Sequence, residues 1–233
     1  MRFRDRTDAG RQLAALLMKY RGDSPLVLGL PRGGVPVAYQ VARMLGAPLD
    51  VWVVRKVGAP GQPELGVGAV AEGGALFLDR GMLRSLGFSE TEVLQTAERE
   101  ADEVAVRIAR FRGPHPAPSI EGRTVILVDD GVATGGTVRA AIRALRERRP
   151  KRIVLAVPVG AVESLESLRA EVDDIVCAHP AEFMMAVGEF YDDFSQTPDS
   201  EVQELLAHAR EQGEMREQQG LEEAMDAADN WWV

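Results

Sequence analysis

The chain has 233 residues, 45% of them apolar, which suits one generous domain with a real core. Cys177 is the only cysteine, so neither a disulfide framework nor a thiolate metal site can be built. The formal net charge is −9, but residues 199–233, with ten acids and two arginines, carry −8 of it, and a body left at −1 is poorly suited to gripping a nucleic-acid backbone.

His115, His179 and His208 are far apart and lack zinc-ligand spacing. The first residues, MRFRDRTDAG, contain no apolar signal-type run, and no apolar stretch approaches the ~18 residues of a membrane span. The expectation is a cytoplasmic chain with no membrane and no nucleic-acid partner.

In chain order, Thr7 and Asp8 can cap a first helix whose apolar face is Leu13, Leu16, Leu17 and Tyr20, with Gly22 past its end. Leu26–Leu30 reads as a buried strand. Pro31-Arg32-Gly33-Gly34 follows, then a helix with Pro36 near its start and Gly46 after its end, then a second strand over Asp50–Val57. That is a βαβ unit, which implies a parallel pair with a right-handed crossover. The Pro31–Gly34 turn offers two glycines for close backbone approach and one arginine for an anion.

Gly58–Gly74 is rich in Gly and Pro, with Arg55 and Lys56 before it. Its second part, Ala69–Leu78, reads as a hairpin turning at Gly73-Gly74. Gly66–Ala71 fits a degenerate G-x-G-x-x-A but follows no strand, so it is read as chance. Ser89–Glu92 is a capping box opening a helix to about Phe111, whose alternating charges read as a solvated face. Gly113–Pro118 is a stiff linker, so residues 79–118 form a helical insertion on the core.

Val125–Thr137, VILVDDGVATGGT, is the chemical centre. A β-branched run ends in Asp129 and Asp130. A small-residue turn follows, and then a helix with Val138, Ala141, Ile142 and Leu145 on one face. The acids thus stand at the carboxyl end of a strand, where open α/β sheets bind ligands. Gly135 and Gly136 admit a ligand to the backbone, helix-start N–H groups attract phosphate, and Thr134 and Thr137 add hydroxyls. A bare phosphate would be repelled by the acids. A ribose 5-phosphate suits both halves, with its phosphate in the turn and its hydroxyls on the acids. No Lys follows Gly136, so a nucleoside-triphosphate P-loop is excluded.

VILVDDGVATGGT resembles the phosphoribosyl-diphosphate (PRPP) binding motif of the type I phosphoribosyltransferases. One position departs: Gly131 stands where that family usually has an aliphatic residue. The resemblance implies an α/β fold, an open, mostly parallel sheet flanked by helices with a small hood subdomain, over residues 1–198. It also implies transfer of ribose 5-phosphate from PRPP to a nitrogen of a nucleobase-like acceptor, releasing pyrophosphate. Ala133, Thr134, Gly135, Gly136 and Thr137 would hold the 5-phosphate, and Asp129 and Asp130 the ribose hydroxyls. Arg32, Gly33 and Gly34 would hold pyrophosphate, with a non-proline cis bond at Pro31–Arg32. Lys56 and the Gly58–Gly74 stretch would form a mobile lid. Mg²⁺ is the implied cofactor, bound mainly through PRPP and water, with Asp129, Asp130 and Asp192 as candidate protein ligands. A homodimer is the expected assembly.

After the motif helix, Arg152–Val157 reads as a strand, Val162–Val172 as a helix and Asp174–Ala178 as a strand. Residues 179–198 read as the hood, with Phe183 or Phe190 stacking on a base and Asp192 or Asp193 meeting a ring amine. Residues 199–233 read as a helix and an acidic tail ending in Trp231-Trp232, a weak docking signal. The oxopurine branch of the family has an Asp just before the motif Thr and a Lys after the next strand. Here those places hold Ala133 and Pro158–Ala161. Two rival readings keep the residues but change the role: a PRPP-sensing regulator without catalysis, and a receiver-like domain whose turn is empty.

Overall fold

The structure, a computed structural model, describes residues 2–229; Trp231-Trp232 lie outside the described residues. Five parallel strands form the central sheet in the order β2-β1-β6-β7-β8: β1 Leu26–Gly29, β2 Leu49–Val51, β6 Thr124–Val128, β7 Arg152–Ala161 and β8 Asp174–Ala181. Both faces are covered, which is why β1 and β6 are buried at every residue. Val27, Ile126, Val128, Val154 and Ala156 pack on α1 (Arg6–Leu17) and α2 (Gly34–Leu45). Leu26, Leu28, Val125, Leu127, Ile153 and Leu155 pack on α5 (Gly136–Arg146) and α6 (Val162–Leu168). From β1 the chain runs outward to β2, whereas β6 lies on its other side. The crevice between β1 and β6 is therefore the switch point where ligands bind in such sheets.

The expected strand over Asp50–Val57 divides at Trp52. β2 ends at Val51, and β3 (Val54–Ala59) joins β4 (Gln62–Ala71) and β5 (Ala75–Leu78) in a separate antiparallel sheet. Trp52 is buried, and its Nε1 donates to the Ala141 carbonyl at 3.1 Å, so the indole pins the point where the chain leaves the central sheet. Gly58–Gly68 is accordingly a paired hairpin turning at Pro60-Gly61 rather than an open loop, with Val57, Ala59 and Val67 buried as its anchors. The Gly73-Gly74 turn is as expected, both glycines having φ near +70°. Gly66–Ala71 lies within β4 and forms no strand–turn–helix.

The cap of α1 is Asp5, whose Oδ1 accepts from Asp8 N at 2.7 Å, and Leu16 is exposed while Leu13 and Leu17 are buried. The insertion holds α3 (Arg80–Leu86) and α4 (Glu90–Arg112), the latter opened by the Ser89/Glu92 capping box. The charges of α4 are not all solvated. Arg112 is 4% exposed, donates to Asp50 Oδ2 at 2.8 Å and forks onto the Glu72 carboxylate. The pairing satisfies a planar donor set that could not be buried bare. Helix α6 is shorter than expected and β7 and β8 longer, because Val159 and Ala181 continue into buried packing beneath the hood. The last helix, α7 (Asp199–Asp229), buries Val202 and Leu206 against α2 and α4.

Candidate active site

Asp129 and Asp130 follow β6 directly and face the Pro31–Gly34 turn that follows β1. The approach is too close for any side chain on that turn. A Cβ on Gly33 would stand 2.0 Å from Asp130 Oδ2, and one on Gly34 would stand 2.7 Å from the Val128 carbonyl oxygen. The Pro31–Arg32 peptide is cis, as the resemblance implied.

Asp130 is held on several sides. Its Oδ2 accepts from Arg6 Nε at 2.9 Å, and its carbonyl accepts from the Tyr191 hydroxyl at 2.7 Å. Arg6 in turn donates to the Ser195 carbonyl at 2.7 Å and lies over the Phe194 ring, 4.0 Å from its centroid. The Arg6 and Asp130 side chains are only 12% and 15% exposed. Burial pushes the Asp129 carboxyl well up, and the neighbouring Asp130 charge adds to this. Asp130 is also raised by burial, while the Arg6 guanidinium pulls it back toward the ionised form. Two adjacent carboxylates in a half-buried crevice are thus poised for groups that supply hydrogens or positive charge.

The turn beyond them is anchored at one end and open at the other. Val132 N donates to the Val159 carbonyl at 3.0 Å, Ala161 N donates to the Val132 carbonyl at 2.8 Å, and Ser164 Oγ donates to the Ala133 carbonyl. Gly135, at φ +74°, precedes α5 without a side-chain cap, so the first N–H groups of that helix have no capping acceptor. The Thr134 and Thr137 side chains are exposed and bond no partner among the described residues. Lys56 reaches the same place: a Cβ on Gly136 would stand 3.1 Å from its Nζ. The turn therefore gathers uncapped helix N–H groups, two hydroxyls and one ammonium, a set of donors whose chemistry suits an anion.

Of the remaining expected residues, Arg32 is turned to Asp199, with Nη1 3.5 Å from Oδ1. Phe190 lies against His179, ring centroids 5.7 Å apart, beside Tyr191. Phe183 is 93% exposed. Asp192 faces Arg2 at 3.8 Å, and Asp193 accepts from Ser195 N at 2.9 Å; both side chains are exposed. The backbone of residues 3–4 straps this segment, since Asp192 N and Asp193 N donate to the Phe3 and Arg4 carbonyls.

Two features were not anticipated. Arg6 lies 124 positions from Asp130, and nothing local marks it; its only sequence signal is a cation in the first turn of a helix that must cover β7 and β8. The unusual Gly131 also has a partner. A Cβ there would stand 2.5 Å from Val187 Cγ1 and 3.0 Å from Val159 Cγ1, so the hood valine fills the space a motif side chain would take. Gly131→Val should therefore overpack this contact and destabilise the fold by about 1–3 kcal/mol. Adding Val187→Ala should recover part of the loss; denaturant unfolding of the single and double variants checks both.

Residues 5–194 match the family described as the phosphoribosyl transferase domain. A protein of Mycobacterium tuberculosis (strain ATCC 25618 / H37Rv) with the provisional name phosphoribosyl transferase is 42% identical over 207 residues, 89% of this chain and 47% of that protein. The chain thus spans about half the length of such curated relatives. The transcriptional regulator GfcR of Haloferax volcanii is 27% identical over 164 residues, 70% of this chain and 58% of that protein. The crystal structure of TT1426 from Thermus thermophilus superposes with a TM-score of 0.81 at 45% identity, covering 88% of this chain and 98% of that one. Acid pair, glycine turn and parallel sheet coincide with a match across most of the chain, and the chain belongs to the phosphoribosyl transferase domain family.

Proposed function

We propose that the chain moves the ribose 5-phosphate of PRPP to a nitrogen nucleophile of a nucleobase-like acceptor, releasing pyrophosphate. The observation that carries this reading is the joining of an ionisable acid pair to an uncapped helix start in one crevice. In this reading the 5-phosphate takes the N–H groups of residues 133–137 with Lys56 beside them. Asp129 and Asp130 accept from the ribose hydroxyls. As the bond from C1 to the diphosphate oxygen breaks, its electron pair leaves with pyrophosphate and positive charge grows on the sugar ring. The carboxylates face that charge, and the acceptor nitrogen then supplies the pair for the new bond to C1. The β3–β4 hairpin would cover the bound diphosphate and limit attack by water.

Among the described residues no three potential ligands are grouped as a metal cage. A Mg²⁺ would be held chiefly by diphosphate oxygens and water, with Asp129 or Asp130 as a carboxylate ligand, as this ion favours. When bound it would neutralise the leaving diphosphate. We place the reaction in the cytoplasm and the working form as a homodimer.

A PRPP-sensing regulator is the second reading, supported by the likeness to GfcR. Incubation with PRPP, Mg²⁺ and a panel of bases, scored by pyrophosphate release, separates the two. Acceptor-dependent release supports transfer; binding of PRPP without release under every acceptor supports regulation. Hypoxanthine and guanine should be poor acceptors. Ala133 offers no carboxylate, its carbonyl is engaged by Ser164, and residues 158–161 offer no lysine. A general-base contribution of ~10²–10⁴-fold is therefore missing from those positions. Steady-state kcat/KM for either base should fall below ~10⁴ M⁻¹s⁻¹, and a higher value contradicts the acceptor assignment.

A further inference from the structure

The two oxygens of the Asp130 carboxylate are in unlike places. Oδ2 accepts from Arg6 Nε at 2.9 Å. The turn after β1 lies against the same oxygen, since a Cβ on Gly33 would stand 2.0 Å from it and 3.1 Å from Arg6 Nε. Oδ2 is therefore shut between a guanidinium and a backbone. Oδ1 accepts from no donor among the described residues, so it is the oxygen left for a ligand. Arg6 is itself fixed by groups other than the acid. Its Nη1 donates to the Ser195 carbonyl at 2.7 Å, and its guanidinium lies 4.0 Å from the centroid of the Phe194 ring. The backbone of Asp130 is tied to the same segment, because its carbonyl accepts from the Tyr191 hydroxyl at 2.7 Å. A buried ion pair is a weak source of stability, and apolar groups of similar volume often serve as well. What such a pair can do is fix geometry. An aspartate carboxylate is otherwise a broad two-fold rotor about its last bond, and a ligand that needs one of its oxygens must stop that rotation.

We propose that Arg6 is a positioning residue: it pins Asp130 Oδ2 between the hood and the turn after β1, and so presents Oδ1 to a ribose hydroxyl. The inference rests on the ribose reading of the acid pair given above. Arg6 acts through Asp130 and touches no ligand itself. Holding the acceptor oxygen in place before the sugar arrives removes an ordering cost from binding. The role makes the first turn of α1 and the end of the hood part of the PRPP site. It also gives the strap of residues 3–4 a purpose beyond the fold. Phe3 N donates to the Phe190 carbonyl at 2.8 Å, and the buried Phe3 ring lies 5.5 Å from that of Tyr191, so the strap holds the hood segment on which Arg6 rests.

A double-mutant cycle read by PRPP affinity tests this role. Calorimetry with PRPP and Mg²⁺, on the full chain at fixed ionic strength, compares Arg6→Gln in the wild-type and Asp130→Asn backgrounds. In the wild-type background Arg6→Gln should weaken PRPP by about 10-fold, as expected when one charged hydrogen bond is impaired. In the Asp130→Asn background the same change should cost no more than about 2-fold, the usual scatter of additivity. Arg6→Lys keeps a cation within reach of Oδ2, although it lacks the planar fork, and should recover most of the loss. If Arg6→Gln does not fold, Phe194→Leu takes its place in the cycle. It loosens only the ring under the guanidinium, and should give a smaller loss that again disappears with Asp130→Asn. Equal losses in both backgrounds would mean that Arg6 merely attracts the polyanion or supports the fold, and would overturn the positioning role. Wild-type affinity in folded Arg6→Gln, or a loss in Arg6→Lys as large as in Arg6→Gln, would overturn it too. A wild type that binds no PRPP would defeat the proposed transfer and this role together. A wild type that binds PRPP with no coupling between Arg6 and Asp130 would defeat this role alone.

Discussion

Replacing Asp129 and Asp130 together by Asn should weaken PRPP binding by roughly 10²–10⁴-fold, because each lost charged hydrogen bond is worth ~1.5–3 kcal/mol. The amides keep the shape of the carboxylates, so the Gly33–Gly34 approach should survive. The Arg6 contact loses its opposite charge, but Arg6 retains the Ser195 carbonyl and the Phe194 ring. Thermal stability should change little or even rise, since both carboxyls are strained toward protonation by burial. Calorimetry with PRPP and Mg²⁺ reads the affinity, and an unchanged value in the folded double variant contradicts the assignment of the acids.

Arg112→Met should have the largest effect on the fold itself. It would leave Asp50 and Glu72 without the guanidinium they share, in a place where the Asp50 side chain is only 7% exposed. Breaking a buried pair from one side costs about 3–5 kcal/mol. Burial raises the Asp50 carboxyl, and Arg112 is the main influence opposing that. Without the arginine the carboxyl of the folded state rises further above its unfolded value. The folded chain then holds the proton more tightly than the unfolded one, so the variant loses stability as pH rises through the gap. Denaturant unfolding at acid and neutral pH should therefore show the smaller deficit in acid. A deficit below ~1 kcal/mol at neutral pH, the range of an ordinary surface pair, would show the network to be dispensable.

What the sequence discloses here depends on whether a signal is local. The strand, acid pair, glycine turn and helix of Val125–Thr137 are contiguous, and each part has its own chemistry, so both the sheet class and the placing of the acid pair beside a helix start could be read directly. The capping box of α4 is equally local. The division at Trp52 was hidden, because Val51–Val54 is an unbroken apolar run and only the indole contact with Ala141 shows where it turns. The hairpin over Gly58–Gly68 was hidden too: its glycines mask the alternation of Val57, Ala59 and Val67 that anchors it. Arg112 stands just beyond the expected helix end at Phe111, where no local signal marks it, and is a buried tie. The contacts of Arg6 with Asp130 and of Val187 with Gly131 join distant segments, so they become visible only when the hood and α1 close over the motif.

The central claim concerns where the sugar phosphate sits, and a crystal structure of the chain grown with PRPP and Mg²⁺ tests it most directly. The 5-phosphate should lie on the backbone N–H groups of residues 133–137 with Lys56 alongside, and the ribose hydroxyls on Asp129 and Asp130. PRPP bound elsewhere, or a crevice between β1 and β6 that stays empty at saturating ligand, would contradict it.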